Sequence, residues 1–321
     1  MQRAREDAAV EVNQAVAVAA ARGAAGDPVA AAEILSGAIA AAPRNAALWA
    51  FRGRMWRLAG HVDRAAEDLS RAIALDPTDP YPAAQQSWIL WVRGERAAAK
   101  RRLRRVARRH PGYHWAFTYL AQQHLVTRQL HAAERAIACA LAIAPRCAYS
   151  LRIQADLLAN RGRYRRALAM FDEVLASAPG DAYAHAERGL VLGHLGRHAE
   201  GVAALDRAIS QLPRLRHFWR DRAALHILRG DASSGLRDCL AAIEVSAEPE
   251  PLIAYRVAQL HRQLGDVAAS RRAYGHVRRL LPGAGRRHLA DRLGSLTRPR
   301  WTPGTLLGPV GIMDQPGAPL R

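Results

Sequence analysis

Apolar and small residues recur along this chain three and four positions apart, in short runs interrupted by glycine or proline. Residues 46 to 79 show the pattern in full. Trp49, Gly53 and Trp56 mark one face of a first segment, Gly60 interrupts it, and Ala65, Leu69 and Ala72 mark one face of a second that stops at Pro77. A three-and-four spacing belongs to a helix with one buried side. The stretch therefore predicts two amphipathic helices with a glycine turn between them, closed by a proline that cannot continue the second.

The same punctuation returns at a fixed interval. Prolines stand at 43, 77, 111, 145, 179 and 213, evenly spaced throughout. Glycines at 26, 60, 94, 162, 196, 230 and 265 fall half a period ahead of each proline or of the place where one is due. Five positions beyond these glycines, or beyond the place where one is due, come Ala31, Ala65, Ala99, Ala133, Ala167, Gly201 and Gly235, small enough for two helices to pack back to back. A hairpin of this length cannot hide its apolar stripe alone, so the units must stack on one another.

The offsets of Trp49, Gly53, Trp56, Gly60, Ala65, Leu69, Ala72 and Pro77 resemble those of the tetratricopeptide repeat. The resemblance covers eight units, 12–45, 46–79, 80–113, 114–147, 148–181, 182–215, 216–250 and 251–284. The period slips in the seventh, where Ala247 replaces the proline and Pro249 follows. It implies an all-α fold, a right-handed α-solenoid of stacked helix-turn-helix repeats, with first helices lining a concave groove and second helices forming the convex back. Residues 1–11 read as an extension of the first helix, 285–297 as a capping helix edged by Leu289, Leu293 and Leu296, and 298–321 as a Pro- and Gly-rich tail. The tail's spaced aliphatic residues leave open a mobile end or a segment docking in the groove. Arg52 and Arg222 are each followed, just under half a period later, by an acid on the second helix, Asp68 and Asp238, which predicts two ion pairs inside single repeats.

The resemblance also implies a binding face. The second position of each unit lies on or near the groove, and in units three to six it reads Tyr81, Trp115, Tyr149 and Tyr183, followed by His217. Helical spacing sets Gln85, Trp88, Tyr119, Gln122, Asp156 and Glu187 on the same faces, with Arg152 and Arg220 beside them. Such a ladder suits an extended peptide of a partner protein; equally, rings at this position can fill the seams between units. Arg54, Arg57, Arg256 and Arg262 tilt the face positive, which would suit a carboxylate-bearing ligand. The function expected is a noncatalytic scaffold or adaptor holding a peptide segment.

Composition adds a second candidate surface. The chain has 321 residues and a formal charge of +19, from 47 Lys and Arg against 28 Asp and Glu. Residues 93 to 109 hold nine of those cations and one acid. Arg101, Arg102, Arg104, Arg105, Arg108 and Arg109 are expected, with Arg96 and Lys100, on the convex and lateral surface of the third unit. A solvated face, an acidic protein partner and RNA all remain open for it.

Chemistry is sparse elsewhere. No HExxH, GxSxG or phosphate-binding glycine loop occurs, and His194 and His198 are separated by the turn at Gly196, so neither enzyme activity, a metal nor a cofactor is expected. Cys139, Cys147 and Cys239 form an odd set without CxxC spacing, the opening residues show no apolar signal region, and no apolar run reaches the length of a membrane crossing; a cytoplasmic protein is expected.

Overall fold

The computed structural model describes residues 2–24, 27–246 and 251–280, with side chains from residue 12 onward. Gly26, Ala247, Pro249, the expected capping helix and the tail lie outside the described residues. Sixteen α-helices and no strand occupy the described part. They run as α1 (Gln2–Ala24) and α2 (Pro28–Ala41), α3 (Ala46–Leu58) and α4 (Val62–Leu75), α5 (Pro80–Val92) and α6 (Arg96–Arg109), α7 (His114–Val126) and α8 (Leu130–Ile143). There follow α9 (Ala148–Asn160) and α10 (Tyr164–Ser177), α11 (Ala182–His194) and α12 (His198–Gln211), α13 (Arg216–Leu228) and α14 (Ala232–Glu244), α15 (Pro251–Gln263) and α16 (Val267–Leu280). The chain gathers into two compact bodies that divide between Pro145 and Arg146, so α1 to α8 build the first and α9 to α16 the second. Within each body every helix packs on its hairpin mate and on the helix that follows.

The punctuation read from the sequence has clear local causes. Gly60, Gly94, Gly162, Gly196, Gly230 and Gly265 all take φ between 73° and 85°, the left-handed turn that ends a first helix. In each, the second amide past the helix bonds back to an inner carbonyl, as His61 N does to Trp56 O at 2.8 Å. The fourth repeat has Arg128 at this place, and it too is left-handed, with φ 56°. A Cβ in that conformation is strained. The flanking residues are held from the preceding hairpin: Lys100 Nζ donates to Thr127 Oγ1 at 2.7 Å and to Gln129 Oε1 at 2.9 Å. At the other end of the hairpins, the residue before each proline caps the second helix outside the helical region, as Asp76 (φ −136°, ψ 93°) and Ala144 (φ −132°, ψ 78°) do, because the proline ring disfavours a helical residue before it.

Small residues sit where the two helices of a hairpin cross. Ala31, Ala65, Ala99 and Ala167 are fully buried. In the sixth repeat both sides of the crossing are glycine: a Cβ on Gly201 would lie 2.7 Å from the carbonyl oxygen of Gly189, and one on Gly189 2.8 Å from that of Gly201. Around these crossings lie the large core residues, Leu35, Trp56, Leu69, Trp88, Leu103 and Ile137 in the first body and Phe171, Leu205, Phe218 and Leu225 in the second.

The two expected ion pairs are present and bidentate. Arg52 reaches Asp68 at 2.7 and 2.8 Å, and Arg222 reaches Asp238 at 2.6 and 2.9 Å. Each arginine also bonds backwards, to Ser36 of the preceding repeat at 3.0 Å and to Asp206 at 2.6 Å. Gln86 and Arg188 make the same backward contact, with Ser70 at 2.9 Å and Asp172 at 2.6 Å. One position of the first helix thus stitches neighbouring hairpins together, its partners equally far along the chain on either side.

Two stability outcomes follow from these contacts. Gly201→Ala should cost about 1–3 kcal/mol because a backbone oxygen blocks the methyl group, whereas Gly37→Ala, in open space inside α2, should gain up to about 1 kcal/mol. Arg128→Gly should stabilise by about 0.5–1 kcal/mol. Urea midpoints at unchanged slope check all three.

Candidate functional site on the first-helix face

First helices of neighbouring repeats touch one another, α3 with α5, α9 with α11 and α11 with α13, while no comparable contact joins second helices among the described residues. The first helices therefore lie on the tighter, inner side of each stack. In the first body this face is largely filled. Gln85, Trp88, Tyr119 and Gln122 are buried, leaving Tyr81 and Trp115 half-buried. Arg57, fully buried, lies with its guanidinium 5.2 Å from the Trp88 ring centre, a cation over an aromatic face. Trp115 continues into His114 and Tyr119, with ring centres 4.7 and 5.7 Å away.

The second body assembles a buried network from the residues singled out on α9, α11 and α13. Tyr149 is 1% exposed, and the Arg152 guanidinium lies over two rings of the expected ladder, 4.7 Å from Tyr149 and 5.4 Å from Tyr183. Tyr183 in turn stacks on His217 at 6.3 Å and meets Phe218 edge-on. Rings at the second position of successive repeats are here interleaved with a cation and packed into the seam, so in this body the same residues form both the seam and the face. Tyr183 and Arg220 stay half-buried and border open solvent.

Beneath them Arg152 pairs with Asp181, Nε to Oδ2 at 3.4 Å, the two side chains only 4% and 5% exposed. Asp181 is held in turn as the N-cap of α11, accepting from Ala184 N at 3.0 Å. Asp156 and Glu187 hydrogen-bond to each other, and burial raises both carboxyls above the ordinary carboxylate range, against the attraction of Arg152. Two buried acids in contact retain a shared proton. His217 is pushed down to about 3 by burial, with Arg220 and Arg216 adding to it, so its imidazole is neutral. Asp156 Oδ1, Glu187 Oε2 and His217 Nε2 are buried without a hydrogen-bond partner among the described residues.

Asp181 was not singled out from the sequence. Its signal is weak: an Asp just before a first helix reads only as a helix cap, and its pairing with an arginine on the preceding first helix follows no helical spacing. The backward stitching by Gln86 and Arg188 was missed too, although the spacing that gave the two ion pairs carries it as plainly.

The basic helix needs two corrections. Lys100 is buried, reaching from α6 to the turn of the following hairpin, because its long stem can cross the seam between repeats while the ammonium finds two oxygens. Arg102 is half-buried and bonds Gln86. Arg96, Arg101, Arg104, Arg105, Arg108 and Arg109 are exposed as expected.

No reactive constellation stands out beside these. Among the described residues no three His, Cys, Asp or Glu side chains are grouped to hold a metal ion, and no helix is long and apolar enough to cross a membrane. Cys139, Cys147 and Cys239 form no disulfide among the described residues, and burial pushes the Cys239 thiol up to about 12.

With this geometry in place, the chain can be set beside known proteins. It matches the tetratricopeptide repeat family over residues 17–80 and 153–215. The chain is an all-α stack of helix-turn-helix units, and these two stretches carry the pattern of the tetratricopeptide repeat. Its fold is similar to that in the anaphase-promoting complex hetero-tetramer Cut9–Hcn1, with a TM-score of 0.66 at 15% identity, over 75% of this chain and 48% of that one. The chain thus spans about half the length of that relative. It is also similar to PilW, a type IV pilus biogenesis factor (TM-score 0.60, 17% identity, 66% of this chain and 96% of that), and to a tetratricopeptide repeat protein from Parabacteroides merdae (0.56, 16%, 78% and 99%). At such identities the likeness concerns the fold. No curated protein matches the chain.

The acid pair generates a pH outcome. Folded Asp156 and Glu187 keep protons that the unfolded chain releases near pH 4, so their contribution is present below about pH 4 and falls as pH rises. His217 acts oppositely, favouring the folded state above its ordinary value and losing that as pH falls. Asp156→Asn should therefore gain stability relative to the unsubstituted protein as pH rises from about 5 to 8. Chemical denaturation across that range checks the difference.

Proposed function

We propose that this protein is a noncatalytic scaffold that holds a peptide segment of a partner against the first-helix faces of its repeats. The fold is of a kind that generally mediates protein–protein interaction. What supports the reading most is the division within the second body. Arg152, Asp156, Asp181, Glu187 and Tyr149 form a rigid buried floor, while Tyr183 and Arg220 remain accessible above it. Tyr81 and Trp115 hold the corresponding place in the first body. Rings set on a pre-formed floor lose little freedom on binding and bury large area, while Arg220 offers donors to a carboxylate or a peptide carbonyl. Three cysteines without a disulfide among the described residues accord with a reducing, cytoplasmic setting. Gln85, Trp88, Tyr119, Gln122 and His217 shape the face from below.

The test separates contact from scaffold. Partners are captured by crosslinking in the native cell and identified by mass spectrometry, and the captured segment is then titrated as a synthetic peptide. Replacing Tyr81, Trp115 and Tyr183 together with Ala should weaken binding about 10–100-fold with a shift in Tm of only a few degrees. Trp88→Ala should instead destabilise the fold by about 3–5 kcal/mol. Peptide affinity unchanged in the triple variant would refute the face.

A further inference from the structure

The second-helix side of the first body carries an unusual surplus of charge. Arg101, Arg104, Arg105, Arg108 and Arg109 are exposed on α6, and none has an ion pair or hydrogen bond among the described residues. The helix contains no acid at all. The repeat period extends the patch onto its neighbours. Arg71 on α4 lies one full period before Arg105, and Arg135 on α8 lies one full period after Arg101; both are exposed at the equivalent place of the adjacent second helix. At about 1.5 Å per residue, Arg101 and Arg108 are about 10 Å apart along α6. The result is a row of exposed guanidinium groups along α6, with one more at an equivalent place on each neighbouring second helix.

These cations act on each other. Lys100, which burial already disfavours as a cation, is disfavoured further by Arg104 and Arg96; Arg102 feels Arg105 in the same sense. His124 is lowered by burial and then by Lys100, Arg104 and Arg135, which brings residues of α6 and α8 to bear on one group. An incoming polyanion relieves that repulsion.

The composition of the surface distinguishes what the polyanion is. A stable protein interface has an apolar centre with large anchors. The exposed large apolar residues of the first body are Val18, Val29 and Ile143; only Ile143, the last residue of α8, lies on this face, too little for such a centre. A phosphate backbone needs no such anchor, because its affinity comes from released counterions and from the guanidinium fork that matches phosphate oxygens. With no exposed aromatic ring among the arginines, bases cannot be stacked or read.

We propose that the face of α4, α6 and α8 centred on Arg101, Arg104, Arg105 and Arg108 binds the sugar–phosphate backbone of nucleic acid without regard to sequence. This surface is separate from the peptide-binding face, so either can fail alone.

The test titrates the full chain into a labelled 20-base-pair DNA duplex of arbitrary sequence and into a 20-nucleotide RNA, followed by fluorescence anisotropy. With about five phosphate contacts, affinity should fall about 500-fold between 50 and 200 mM salt. The quadruple variant R101E/R104E/R105E/R108E should lose binding at least about 50-fold at 50 mM salt. A control with the same change in net charge, R165E/R166E/R207E/R214E, uses exposed arginines of the second body and should bind within about threefold of the unsubstituted protein. Should the first quadruple variant lose helix content by circular dichroism, Arg105→Ala with Arg108→Ala should still lower the salt slope by about two. Equal weakening by both quadruple variants would assign binding to overall charge. Poly-L-glutamate competing as well as the duplex would assign the face to acidic proteins, and absence of binding to either nucleic acid at 50 mM salt would leave it a solvated surface. Each of these three results overturns the proposal.

Discussion

Every feature of this molecule depends on one constraint: a single helical hairpin has two flanks to cover and only its neighbours to cover them with. Hairpin helices meet at alanine or glycine because nothing larger fits at the crossing, and in the sixth repeat the backbones approach so closely that each glycine excludes a methyl group from the other. The flanks are then sealed by the following hairpin. Position and period are tied together in this way, since a residue that serves one seam recurs one period later at the next. The backward bonds of Arg52, Gln86, Arg188 and Arg222 are the polar expression of that rule.

The same sealing explains why so much charge is buried on the inner side. First helices crowd together there, so polar residues that a single helix would present to water are enclosed by the next. Arg152 answers this by lying between two tyrosine rings and facing Asp181; Asp156 and Glu187 answer it by sharing a proton. Such an arrangement costs desolvation and adds little net stability. What it supplies is a fixed geometry, because each member can be satisfied only in one register. Lys100 plays a comparable part in the first body, where it braces the one turn built on a left-handed arginine.

Inner and outer faces consequently carry opposite chemistry. Toward the first helices, cations are matched by aromatic rings and carboxylates, Arg220 with Asp221 at 3.0 Å among them, and only a few rings stay half-buried at the surface. On α6 of the first body Arg101, Arg104, Arg105, Arg108 and Arg109 stand exposed to water. The first arrangement favours a shaped partner that buries area; the second favours a diffuse, highly charged one.

The fold was legible in the amino-acid order because its determinants are local and repeated. A glycine at the turn, a proline after the second helix and a small residue at the crossing each act within one hairpin, so their recurrence alone identifies the hairpins and their stacking. The pairs Arg52–Asp68 and Arg222–Asp238 were legible for the same reason. Which groove candidates would be covered was decided only in three dimensions. Tyr149 and Tyr183 hold the same place in successive repeats, yet one is enclosed and the other borders solvent, and Lys100 turns inward from a helix whose other cations mostly face water. Burial depends on what the neighbouring hairpin places opposite a residue, and that neighbour's side chains, unlike the period, do not repeat.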